Sequence, residues 1–137
     1  MVDLVITAAS VIAGATAQKE TGIAGATVTA GQTVYKEAAT GQFKLADSNS
    51  ATAEVRTPYG IALHASLAGQ PLTVQISGDI TIGATVAIGT AYMQSETPGG
   101  IQPVADLASG EYPTLLGFAT TAAIITMRIV PSGVAVP

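Results

Sequence analysis

His64, the only histidine, and two aspartates, Asp47 and Asp106, are the side chains whose types and settings could do chemistry. A histidine can act as a general base near neutral pH, and two carboxylates in different surroundings can divide acid and base roles. His64 lies in "GIALHASL", a run with the pattern of a strand, where a lone histidine is more often structural than catalytic. A hydrolytic centre would require it to share a pocket with an acid. Asp47 and Asp106 close two similar strings, Leu45-Ala46-Asp47 and Val104-Ala105-Asp106. The Ser-Asn-Ser after the first and the Leu-Ala-Ser-Gly after the second suit Asx turns, in which the carboxylate accepts backbone N–H groups. There is no cysteine, so thiolate ligands, disulfides and Cys nucleophiles are excluded, and the dispersed carboxylates lack metal-ligand spacing. "GIAGATVTAG" and "TPGGIQP" carry no Gly-Lys-Ser/Thr and are turns rather than phosphate loops. The four Tyr and two Phe are spread singly, which gives no stacking platform for sugars or single strands. The expectation is a non-enzymatic protein with no cofactor, no metal and no small-molecule substrate.

The elements that would position any site must come from an unusual composition. The chain has 137 residues, 48% of them hydrophobic and only 10% charged, against about 25% charged in an ordinary soluble domain. That length suits one domain, able to bury about two-thirds of its unfolded surface. Much of its surface must then be covered by Thr, Ser, Gly, Gln and Ala, which suits a subunit packed against others. Five Lys and Arg against nine Asp and Glu give a net charge of −4 with no basic run, so a nucleic-acid partner has no electrostatic footprint. The opening "MVDLVITAASVIAGATAQ" ends in Ala15-Thr16-Ala17 like a cleavage site, but Asp3 stands where a leader carries Lys or Arg, and no leader is expected. The apolar run at 115–130 is short for a span and contains Arg128, so no membrane partner is expected.

Strand signals dominate. "TVTAGQTVY", "LTVQIS", "ITIGATVAI" and "IITMRIV" are rich in Val, Ile and Thr and bounded by Gly, Pro, Ser or Asp. "LTVQIS" alternates, predicting a half-buried strand with Leu72, Val74 and Ile76 on one face and Thr73, Gln75 and Ser77 on the other. "SVIAGATAQKE" and "SNSATAEV" are the only helical candidates, and neither should exceed a short turn.

The chain also repeats itself. "VTAGQTVYK" and "ITIGATVAI" set apolar or Thr positions around Gly31 and Gly83. Each ladder is followed by an Ala-Asp close, a Gly-apolar-Ala motif (Gly60-Ile61-Ala62, Gly117-Phe118-Ala119) and a strand ending in Ser-Gly. This predicts an all-β fold with little helix: a small internally duplicated β-barrel or β-sandwich over residues 27–137, with halves at about 27–78 and 79–133. Gly31 and Gly83 would do the same backbone work at a turn or bulge. Residues 1–26 lie outside the repeat, as an extra strand or as an arm to a neighbour. Val2, Leu4, Val5, Ile6, Val11 and Ile12 are the apolar residues through which that stretch would touch a neighbouring subunit or a larger assembly. The tail "VPSGVAVP" reads as an exposed end or a clip.

The strings "AGATVTAGQTVYKEAATGQFKLAD", "GIALHASLAGQPLTVQISGDITIGATV" and "GGIQPVADLASGEYPTLLGFATTAAIITMRIVPSG" resemble the head decoration, or cement, proteins of tailed bacteriophages over roughly residues 22–133. The resemblance implies a β-rich knob, often a homotrimer. It would bind the major capsid protein on the outer surface of the virion head, after assembly in the host cytoplasm, and stabilise the shell. A tail, neck or fibre-base component of the same kind of virion is the alternative.

Overall fold

In the computed structural model, which describes residues 3–137, the chain is all-β apart from two three-residue 3-10 turns, Ala8–Ser10 and Val104–Asp106. The strands are β1 (Val11–Ala13), β2 (Gln18–Ile23), β3 (Thr33–Lys36), β4 (Phe43–Leu45), β5 (Gly60–Ala62), β6 (Pro71–Ile82), β7 (Ala91–Gln94), β8 (Ile101–Pro103), β9 (Thr114–Ala119) and β10 (Ile124–Pro131). They form one curled antiparallel sheet in the order β4-β3-β5-β6-β10-β9-β7-β8, with β1 and β2 also paired to β6. From the β6–β10 centre the same succession runs outward both ways: final strand, third, first, second.

Hydrogen bonds fix how the halves correspond. Gly31 N–H donates to Ala62 and Gly89 N–H to Ala119, both at 2.8 Å. Ala62 N–H returns to Gln32 (2.8 Å) and Ala119 N–H to Thr90 (3.0 Å). Gly31 (φ +90°) and Gly89 (φ +82°) both adopt a left-handed conformation that side chains resist. The counterpart of Gly31 is therefore Gly89, not Gly83 as the two ladders suggest. Gly83 corresponds to Gly25, and the identical tetrad Gly-Ala-Thr-Val at 25–28 and 83–86 marks the register. "ITIGATVAI" is accordingly not one strand. Ile80–Ile82 end β6, and Gly83, at φ +77°, turns the chain out of the ladder.

β6 belongs to both halves, and the 78/79 boundary read from the sequence falls inside it. Its first part pairs with β5 and β2 and its second with β10 and β1. The change of partner coincides with a register shift opposite Gln18/Lys19 and with Gly78 at φ +91°. Backbone carbonyls lose ladder partners at such a bulge. Gln75, fully buried, donates Nε2 to Ser77 O (3.2 Å) and Asp79 O (2.8 Å) across this point, the latter also accepting from Gly14 N–H (2.8 Å). That corrects the half-buried reading of "LTVQIS": Leu72 and Val74 are buried as expected, but Gln75 on the opposite face is buried too.

The core follows this division. Val34, Phe43, Ala62, Leu72 and Val74 pack with Ala24 and Val28 in the first half. Ile61, Ile80, Ile82, Ile101, Leu116, Ile125 and Met127 form the larger cluster, centred on the second. The candidate helices are absent: residues 11–13 and 18–23 are strands, and residues 48–55 form turns.

Candidate interaction surface

The N-terminal stretch joins its own sheet. Val11–Ala13 pair with Ile82–Ile80, and Gln18–Ile23 with Ser77–Pro71, so the chain runs antiparallel beside β6 for nearly its whole length. Ahead of β1, Leu4 N–H donates to Ile101 O and Thr7 N–H to Gly83 O, both at 2.8 Å. Ser95 Oγ donates to Asp3 Oδ1 (2.6 Å). Residues 3–7 thus lie between β8 and the end of β6. Val11 is buried and Leu4 and Ile6 are half-buried against the larger core cluster, whereas Val5 (88% exposed) and Ile12 (60%) point outward. Val2 lies outside the described residues.

Ile12 opens an exposed sheet face. It sits opposite Thr81, which sits opposite Ile124, and strand partners share a face. In the next row Asp79, Thr126, Phe118 and Ala91 stand side by side across β6, β10, β9 and β7. Phe118 is 51% exposed. Thr126 Oγ1 donates to Asp79 Oδ1 (2.8 Å), engaging a carboxylate on this face. Ile88, 71% exposed, projects from the turn before β7. Beside this face Val5, Thr7, Ser10, Thr81, Gly83, Ala84, Thr85 and Ala123 line an open groove of about 430 Å³ without one charged side chain.

Behind it, the two ends of the sheet are held by buried polar groups. Thr33 Oγ1 on β3 donates to Gln94 Oε1 on β7, and Gln94 Nε2 donates to Ala46 O (2.9 Å) and Ser95 O (3.0 Å). Glu111 is fully buried and accepts from Ser48 Oγ and Gln102 Nε2 (both 2.7 Å) and from Ala108 N–H (2.6 Å). Three neutral donors converge on one carboxylate, the arrangement a buried acid needs when no cation accompanies it. Gln102 Oε1 is buried without a partner. On the first half, Glu20 of β2 binds Lys36 Nζ of β3 (2.8 Å) and Tyr59 Oη (2.7 Å). These bonds hold the Glu20 carboxyl below its usual range and raise Lys36 and Tyr59.

Two of the residues first considered for chemistry, His64 and Asp47, bond to the backbone. His64 is exposed; Nε2 accepts from Thr73 N–H (3.0 Å), so Nδ1, 2.9 Å from Ala65 O, carries the proton. Both ring nitrogens serve backbone groups. Asp47 Oδ1 accepts from Asn49 N–H (3.1 Å), the expected Asx turn, while Asp106 ends the second 3-10 turn. The Gln94, Gln102 and Glu111 cluster had not been singled out from the sequence. Its signal is in the repeat: at the offset set by Gly25 and Gly83, Gln94 and Gln102 occupy the places of Lys36 and Lys44. No protein-family model, curated protein or solved structure matches the chain.

Proposed function

We propose that this chain is a structural virion protein that binds the outer surface of a tailed-phage capsid and stabilises the shell, as a trimer at threefold or quasi-threefold positions. The observation that carries the reading is the face of β1, β6, β10 and β9. There, exposed Ile12 and Phe118 stand among Thr81, Thr126 and Ile124 on a sheet braced from behind. Large apolar side chains on a rigid, weakly charged face suit a permanent protein contact. Resemblance to the decoration proteins supplies the partner, the major capsid protein. Several modest contacts made at once would clamp neighbouring capsid subunits.

The test is addition of purified protein to preformed shells lacking it, followed by sedimentation and cryo-electron microscopy. Copies spread over the head, with a raised disruption temperature of the shell, support the reading. Copies confined to one vertex or to the tail overturn it in favour of a neck, tail or fibre-base component.

A further inference from the structure

The two halves close differently. In the first, Ala24 bridges Phe43 and Gly25 N–H donates to Phe43 O (2.7 Å), so β4 is tied directly to the segment that continues β2. In the second half the equivalent residues are Gly83 and Ile101. Each bonds instead to the N-terminal arm, through Thr7 N–H and Leu4 N–H. One half of the repeat therefore completes itself, while the other contains a slot one strand wide.

The arm fills this slot with few attachments. Among the described residues they include two backbone bonds, the Asp3–Ser95 bond and the half-buried Leu4 and Ile6. Ile6 rests on two glycines, where a Cβ at Gly31 would come within 2.6 Å of its Cγ2 and one at Gly83 within 3.4 Å. The groove of about 430 Å³ borders the arm on the Val5 side, and a cleft of about 260 Å³ borders it on the side of Asp3, Leu4 and Gln32. The arm joins β1 through the Ala8–Ser10 turn, which has no buried residue and no side-chain cap.

We propose that this slot is a strand-exchange site, in which residues 3–7 of a second copy of the chain take the place of the protein's own. The occupant is set by what fits: an extended, uncharged Leu-x-Ile segment with an acid ahead of it to meet Ser95, which every copy carries in Asp3–Thr7. Exchange between identical copies keeps each contact and opens only the Ala8–Ser10 turn, the low-cost route to a symmetric assembly. This inference does not depend on capsid binding.

A donor and an acceptor can be made separately. Deletion of residues 3–7 leaves the slot empty. Gly83→Ala keeps the arm but sets a Cβ 2.5 Å from Thr7 O, expelling the arm from its own slot. The tagged deletion variant is mixed with Gly83→Ala and, as control, with Gly83→Ala that also lacks residues 3–7. Retention of the arm-bearing partner at least about tenfold above the control supports exchange, whatever other interfaces the chain has. Equal retention overturns it. Should circular dichroism find any of these variants unfolded, a synthetic peptide of residues 3–10 replaces the donor. Saturable binding to the deletion variant, or recovery of its β signal, supports the slot; the absence of both overturns it.

Discussion

Gly31 and Gly83 share the side chain of Ile6, whose Cγ2 would lie 2.6 Å from a Cβ at the first and 3.4 Å from one at the second. Gly89, the repeat counterpart of Gly31, has the same sign of φ and open space where a Cβ would point. The comparison separates two costs that a glycine substitution usually mixes.

Gly89→Ala should lose only the left-handed backbone preference, about 1–2 kcal/mol. Gly31→Ala should lose that and roughly 1 kcal/mol more from crowding Ile6. In an Ile6→Ala background the extra cost should disappear for Gly31→Ala, while Gly89→Ala should be unaffected. Urea unfolding of the six proteins checks this; equal costs at the two glycines would show that Ile6 does not hold the arm.

Glu111→Ala should remove the acceptor shared by buried Ser48 Oγ, by half-buried Ala108 N–H and by Gln102 Nε2, which keeps only its longer bond to Gln94 O (3.3 Å). A loss of about 3 kcal/mol is expected, read as a lower urea midpoint. A loss below about 1 kcal/mol, the worth of one ordinary hydrogen bond, would contradict a carboxylate-centred seam.

Stability should depend on pH through Glu20. Its carboxyl lies below the ordinary 4.5 in the folded state. Its contribution is therefore present above pH 4.5 and is lost as pH falls through the lower folded value. Lys36 and Tyr59 lie above their ordinary 10.5 and 10.0, so their contributions hold below those values and fade as pH rises through the folded ones. The melting temperature of wild type should exceed that of Glu20→Gln at neutral pH by a small margin, since the pair is exposed. The two curves should converge at the acid end; parallel curves to pH 2, well below the unfolded range, would remove Glu20 from the account.

Ile12→Lys and Phe118→Lys should each change folding stability by no more than about 0.5 kcal/mol, because both side chains are largely exposed. Combined, they should abolish cosedimentation with shells. Undiminished binding by the folded double variant would move the contact to another face.

The strand content was legible because Val, Ile and Thr cluster between glycines and prolines, and "IITMRIV" reappears almost unchanged as β10. Register was less so. Short apolar-Gly ladders match one another at several offsets, and only the tetrad at Gly25 and Gly83 selects one. The buried seam was hidden for a different reason: Gln94 and Gln102 look like surface residues. Their repeat counterparts, Lys36 and Lys44, reach outward to Glu20 and Glu37. Burying those lysines unpaired would be costly, and an amide can enter the interior where an ammonium cannot. Of the apolar residues picked out near the N-terminus, alternation alone could not divide Leu4, Ile6 and Val11 from Val5 and Ile12. The inward side is defined by two turns distant in sequence.

β6 also has a mechanical meaning. Twelve residues long, it extends about 40 Å and is gripped along its length by β1, β2, β5 and β10. A pull along its axis loads these ladders in shear, so many bonds resist together instead of unzipping in turn. With no linker between the repeats, tension entering one half passes straight into the other, and the strand works as a tie-rod.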